Sequence, residues 1–274
     1  MKMKRIIYVL ACVALLSACA TNPVTGRKQF IIVPESEAIA ASKEAYVQML
    51  SPLKKEGKLD NDPALKSRID TITSRLVAQA IRFRPETANW DWTVKVIDDP
   101  KTVNAFCMAG GRMAVYTGLI QQIKPTDDEL AQVMGHEIAH ALSNHTAEKM
   151  SVAMASDIAV TAVAVTQRDS QLALSGAALA AALAVKLPNS RQAESEADRI
   201  GIELAARAGY DPHAAVTLWK KMAKLSDGGR LEFLSTHPAP AKRMETLAGL
   251  TPQMMPYYTQ PGERPSYKLK DVGP

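Results

Sequence analysis

Aromatic side chains are scarce, 5% of the residues, and no run of lysines and arginines is interleaved with them. The chain therefore lacks both the stacking platforms and the basic stripe of a nucleic-acid surface. Its net charge of +5 falls to +2 once Lys2, Lys4 and Arg5 are set aside, so no nucleic-acid partner is expected. Cysteine is scarcer still, three in 274 residues. Cys12 and Cys19 belong to the N-terminal segment, which leaves Cys107 alone and excludes a disulfide framework. Nothing beside Cys107 reads as a paired base, so it is read as a small buried residue. Long apolar runs are missing too. The Ala-rich stretches Val152–Val165 and Leu172–Val185 are separated by Gln167, Arg168 and Asp169, and each falls short of the roughly 20 residues a spanning helix needs. They read as a buried helical hairpin packed over the functional helices. What remains is 47% hydrophobic and 22% charged, long enough for a substantial core and rich in alanine. That composition favours helices over a β-sandwich.

The N-terminus carries a targeting pattern. Positive residues up to Arg5 precede an apolar stretch from Ile6 to Leu16 that is too short to span a bilayer. It ends in Leu16, Ser17, Ala18 and Cys19, which looks like a bacterial lipobox. Residues 1–18 are thus expected to be a signal peptide, with Cys19 lipidated and residues 19–28 forming a tether. By analogy with Gram-negative lipoproteins, Ala20 after the cysteine suggests the periplasmic face of the outer membrane. Several acyl chains would hold the protein durably.

Along the remaining chain, Phe30–Val33 is a strand candidate, and helices are expected from a start at Pro34–Glu37 to about Leu50 and, after the Asp62–Pro63 cap, to about Ile81. Trp92–Ile97 alternates like a strand, and segments 103–106 and 113–116 flank Gly110 and Gly111 as a hairpin. From Thr126 onward the pattern is nearly all helical. A cap at Asn189 or Ser190 starts a helix to about Ala208 with Gly209 just past its end, Asp211 and Pro212 start another to about Leu225, and a last short helix covers Pro240–Leu247. The expected fold is α+β and mostly helical, with one domain over residues 29–250 and an extended, Pro-rich tail over 251–274.

The chemistry centres on HEIAH, residues 136–140. Positions four apart share a helix face, so His136 and His140 can reach one metal ion. Glu137 projects between them, beside the position where a water would sit, as a general base. Two ligands do not complete a catalytic zinc site. Ser143 and Thr146 stand where a metzincin requires glycine and histidine. His145, five residues past His140, falls off the ligand face and is read as a surface or helix-end histidine. The better third ligand is Glu194 of ESEAD, residues 194–198. Asp198, one turn on, can hold the far nitrogen of a ligating histidine. Glu196 points elsewhere and is read as solvated.

These pieces together resemble the HtpX and CAAX-prenyl-endopeptidase family of zinc peptidases, metallopeptidase family forty-eight. Nearest is its exported lipoprotein branch, which includes LoiP and YcaL and is related to the Oma-type mitochondrial proteases. The resemblance rests on Asn104 to Phe106 with Gly110 and Gly111, Tyr116 to Gly118, Asp128 to Leu130 leading into HEIAH, and Ser190 and Arg191 before ESEAD. It continues through Arg199 to Gly201, Ala208 to Pro212, and Ser235 to Pro238 followed by Arg243. The likeness implies a zincin-like domain of gluzincin type, with a small antiparallel sheet whose edge strand borders the active-site helix. It implies one zinc ion per chain on His136, His140 and Glu194, with Glu137 as general base and acid. Asn104, Ala105 and Phe106 would pair with an extended substrate. His237 would either donate to the oxyanion or occupy a fourth zinc position in a resting state. Cys107, Met108 and Ala109 depart from relatives that often have alanine and proline there. The implied activity is endopeptidase cleavage of unfolded or misassembled envelope proteins. The alternative is a lipid-anchored assembly factor or chaperone whose protease site is mostly latent.

Overall fold

Asp62 opens a helix by accepting hydrogen bonds from the backbone N–H groups of Ala64 and Leu65, with Pro63 supplying a preset φ at the first position. That helix, α2 (Pro63–Phe83), follows α1 (Glu35–Lys55). Both belong to a computed structural model of the chain, which describes residues 19–161, 189–226, 232–237, 243–260 and 262–273. The expected signal peptide and most of the expected Ala-rich hairpin lie outside the described residues. Among those described, no helix is long and apolar enough to cross a membrane.

At the N-terminus β1 (Cys19–Thr21) pairs antiparallel with β2 (Lys28–Phe30). This corrects two expectations, because the strand comes earlier than residues 30–33 and the tether is a docked hairpin. The reason lies in its polar residues: Asn22 and Gln29 are buried and both donate to the carbonyl oxygen of Ser143. A carbonyl at the end of a helix needs such donors.

The central sheet contains β3 (Thr93–Ile97), β4 (Ala105–Met108) and β5 (Arg112–Tyr116), in the order β3-β5-β4. Gly110 and Gly111 turn the β4–β5 hairpin at φ of 84° and 83°, a region open to glycine. The sheet is mixed, not antiparallel as expected: β4 and β5 run antiparallel, but β5 lies parallel to β3. Alternation of side chains marks strands without fixing their order, and here the chain crosses to the far edge before returning through the middle. The alternation does fix the layers. Ala105 and Cys107 join the core formed with α2, while Phe106 and Met108 face Tyr46 and Leu50 of α1. Cys107 is buried and free, as expected.

Two helices carry the HEIAH and ESEAD motifs. Helix α3 (Asp127–Leu142) begins with a capping box in which Thr126 and Glu129 satisfy each other's backbone N–H groups. It is buried from Glu129 to Leu142 and is followed by α4 (His145–Thr161). Helix α5 (Arg191–Arg207) is capped by Ser190. It crosses α3 where two glycines meet. A Cβ on Gly201 would lie 2.7 Å from the backbone nitrogen of His136, and one on Gly135 would lie 2.8 Å from the carbonyl oxygen of Gly201. Backbone, not flexible side chain, would be in the way, so overpacking of about 1–3 kcal/mol is the cost of a methyl group here. This close crossing lays the first two turns of α5 beside the HEIAH segment.

Among the described residues, helices α6 (Ala214–Ser226), α7 (Glu232–Thr236) and α8 (Arg243–Thr259) follow. Helix α8 corrects the expected tail boundary, because it carries Pro252 and Pro256 inside it and runs to Thr259. Thr251 and Met254 are buried, and this packing outweighs the missing amide donors. Residues 262–273 then run without helix or strand along α2 and β3, with Tyr267 bonded to Ser74 and Lys270 to Trp92 through their backbones.

Candidate metal centre

Each side chain of the centre reaches it from a different constraint. Helical spacing puts His136 and His140 on one face of α3, with their Nε2 atoms 3.0 Å apart. The glycine crossing brings Glu194 over them, 3.5 Å from His136 Nε2 and 3.3 Å from His140 Nε2. His237 continues α7, donating its backbone N–H to Phe233 and stacking its ring on that phenyl group. Its Nδ1 lies 3.2 Å from His136 Nε2 and 3.0 Å from Glu194 Oε1. All four residues are buried, with donor atoms within 4.8 Å of one another.

These separations test the fit of a zinc ion. Bonds of about 2.0–2.1 Å in a tetrahedron place the ligand atoms about 3.3 Å apart. With Glu194 Oε1 as its donor, the four distances given for one set of donor atoms, 3.0 to 3.3 Å, lie near that figure, while Glu194 Oε2 is the oxygen 3.5 Å from His136. The electrostatics agree. Burial opposes charge on His136, but Glu194 and Asp198 outweigh it and raise the ring to about 9. Burial alone would favour the acid form of Glu194; His136's charge and hydrogen bonds from three histidines instead hold it far below the ordinary range. Burial keeps His140 well below its usual value, hence neutral and able to offer a lone pair. The cluster calls for positive charge at its centre, and histidine nitrogens with a carboxylate suit zinc.

Glu137 stands beside the four donors. Its Oε1 is buried without a hydrogen bond, 3.3 Å from His237 Nε2 in an unfavourable orientation. Burial is the main cause that raises its carboxyl, which is what a group taking and returning protons near neutrality needs. A small cavity between β4 and α4 brings together Phe106, Glu137, His140, Lys149, Asn189 and His237. Among the described residues, strand β4 is an edge of the sheet, and it lies against α3. Tyr116 bonds to the carbonyl of Asn104, so alternation turns the backbone groups of Ala105 to the free edge, where the side chain of Asn104 accepts its N–H.

Asp198 Oδ1 lies 3.0 Å from His136 Nδ1. Arg243 donates to both Asp198 and Glu194 and lies over Trp219, a role its motif did not announce. Asn189, read only as a possible cap, turns its Nδ2 to within 3.2 Å of His237 Nδ1. Two readings need correction. His145 does stand at a helix end, as the first residue of α4, but not at the surface: it is 1% exposed, with its Nδ1 2.8 Å from His140 Nδ1. The five-residue rotation does not apply, because α3 stops at Leu142 and Asn144, at φ 56°, turns the chain back. Glu196, expected in solvent, pairs with His145 and Arg27 and is 12% exposed.

Burial lowers Lys149 to about 8, although Glu137 and Glu194 oppose the shift, and its Nζ donates to Asn189 Oδ1. Between that value and the unfolded one near 10.5 the unfolded chain binds more protons, so stability rises with pH across this window. At pH 7 the charged ammonium costs the fold up to about 3 kcal/mol. Lys149→Met is therefore expected to stabilise the metal-stripped protein at pH 7, with the gain shrinking by pH 10. Urea melts at the two pH values measure it; a gain that does not change with pH would contradict the assignment.

Comparison with known proteins agrees with this geometry. The family model described as Peptidase family M48 matches residues 63–251. The chain is 34% identical to the mitochondrial metalloendopeptidase OMA1 of Bos taurus, over 85% of its own length and 46% of that protein's. It is 31% identical to mitochondrial metalloendopeptidase OMA1 of Saccharomyces cerevisiae, over 87% and 70% of the two lengths. With the Escherichia coli β-barrel assembly-enhancing protease it shares 29% identity, over 77% and 44%. The chain thus spans less than half the length of the cattle and Escherichia coli proteins. Since the family model runs through the HEIAH helix and the ESEAD helix to the start of Thr251, this chain belongs to peptidase family M48.

Proposed function

We propose that the protein is a zinc-dependent endopeptidase, anchored by a lipid on Cys19 at the periplasmic face of an outer membrane, that hydrolyses unfolded or misassembled envelope proteins. The observation that carries the activity is the buried set of His136, His140 and Glu194 at tetrahedral spacing beside the orphaned carboxylate oxygen of Glu137. Zinc held there by His136, His140 and Glu194 would supply Lewis acidity toward a carbonyl and toward water. Glu137 takes a proton from the attacking water and returns it to the leaving amine nitrogen. Asn104, Ala105 and Phe106 offer a free strand edge to an extended substrate, which favours unfolded clients. Anchoring, and membership of the exported lipoprotein branch, are supported by Leu16 to Cys19 and by the motifs surrounding HEIAH. An envelope role draws support from the likeness to the Escherichia coli β-barrel assembly-enhancing protease.

A second reading, a mostly latent site, is favoured by His237, whose Nδ1 sits at the fourth corner of the donor set. Both readings meet in one account: His237 fills that corner at rest and, once displaced by substrate, donates from its ring to the oxyanion. Protein stripped of metal by a chelator should cleave no unfolded polypeptide, and zinc should restore cleavage of unfolded over folded clients. His237→Ala should lower kcat by about 10²–10³-fold, the loss that follows removal of one oxyanion donor. Zinc-independent cleavage would refute the metallopeptidase reading. Unchanged kcat with a lowered Tm would reduce His237 to a structural residue.

A further inference from the structure

The two histidines of HEIAH are supported differently. His136 turns Nδ1 to Asp198, a carboxylate that also accepts from Arg243. His140 turns Nε2 toward Glu194 and Nδ1 toward a second imidazole, His145, at 2.8 Å. Two Nδ1 atoms at that distance share one proton. With His140 Nε2 offering its lone pair among the donors, the proton sits on His140 Nδ1 and is donated to His145 Nδ1. His145 then carries its own proton on Nε2, which points at Glu196 Oε2 3.0 Å away. The other carboxylate oxygen of Glu196 accepts from Arg27 Nε at 2.9 Å and Thr25 Oγ1 at 2.7 Å. Arg27 is fixed in turn by a two-pronged pair with Glu148, at 2.8 and 2.7 Å. Each tautomer in this chain follows from its neighbour. The arrangement matches the carboxylate–histidine support of metal sites, with one imidazole inserted and an arginine holding each carboxylate.

We propose that His145, Glu196 and Arg27 are positioning residues for the metal, a hydrogen-bonded chain that fixes the ring and tautomer of His140. The docked hairpin of residues 19–30 is thereby part of the metal centre. The inference rests on the metallopeptidase reading and adds that the segment beside the proposed lipid anchor governs metal affinity.

Full-length protein stripped of metal is titrated with zinc against a competing chelator, with melting of the metal-free form recorded in parallel. His145→Phe should weaken zinc binding by about 10–100-fold, and Glu196→Gln and Arg27→Met by up to about 10-fold, within the range for loss of such support. His145→Gln can accept from His140 with its amide oxygen and donate to Glu196 with its amide nitrogen, so it should restore most of the affinity. Native affinity in Glu196→Gln, Arg27→Met and His145→Phe overturns the proposal. So does equal loss in His145→Gln and His145→Phe, which would make the ring a packing residue. Should His145→Phe fail to fold, Glu196→Gln and Arg27→Met decide alone. Native protein that binds no zinc would instead sink the metallopeptidase reading itself.

Discussion

Glu137→Gln is expected to keep one zinc per chain and to lose hydrolysis. The carboxylate lies beside the donor set and is no part of it: the four clustered donors come from His136, His140, Glu194 and His237. Glutamine preserves the volume and the hydrogen-bonding reach but cannot take a proton at neutral pH. Removing a positioned general base costs about 10²–10⁴-fold in kcat. In the proposed mechanism Glu137 also returns the proton to the leaving nitrogen, so the loss should fall at the upper end. KM should move little, because the strand edge around Ala105, proposed to take substrate, is untouched. Metal analysis together with kinetics on one sample checks both halves. Lost zinc in this variant would make Glu137 a ligand, and retained kcat would remove it from the chemistry.

Glu194→Ala should do the reverse, failing first at the metal. Glu194 accepts from Arg243 and lies within 3.5 Å of His136, His140 and His237. Its removal deletes an anionic ligand and leaves a guanidinium, 4% exposed, with Asp198 as its remaining carboxylate. Zinc affinity should fall by more than the roughly 100-fold typical of losing a supporting residue. Breaking a buried ion pair costs about 3–5 kcal/mol, so the metal-free variant should also melt lower. Chelator competition and thermal melting report the two effects. Zinc retention equal to that of Glu137→Gln would unseat Glu194 as third ligand and make Glu196 the next residue to test.

The motifs were readable because their chemistry is written at helical spacing. His136, Glu137 and His140 share one helix, and Glu194 and Asp198 share another, so the face of each followed from 3.6 residues per turn. Helix starts at Pro63 and Arg191 were legible through Asp62 and Ser190, whose side chains act locally. The missed features depend on distant partners. Glu196 reads as one more charge on an acidic helix until Arg27 and Thr25 meet it across about 170 residues. His145 was misplaced by continuing α3 past its true end, and only the left-handed turn at Asn144 brings it back to His140. A signal was present, since an Asn followed by His and Thr just past an apolar helix is a break-and-restart pattern. The parallel pairing of β3 with β5 had no local signature, because alternation is the same for either direction. Two prolines argued against a helix beyond Thr251, yet burial of Met254 carried α8 through them.

The most direct test of the central claim is anomalous diffraction at the zinc edge from crystals of the native protein. The account predicts one strong peak per chain, about 2.0–2.1 Å from the Nε2 atoms of His136 and His140 and about 2.0–2.2 Å from a carboxylate oxygen of Glu194. In crystals of Glu194→Ala grown at limiting zinc, that peak should be absent. No peak among these residues in the native crystals, or a peak held by another set of side chains, would contradict the account.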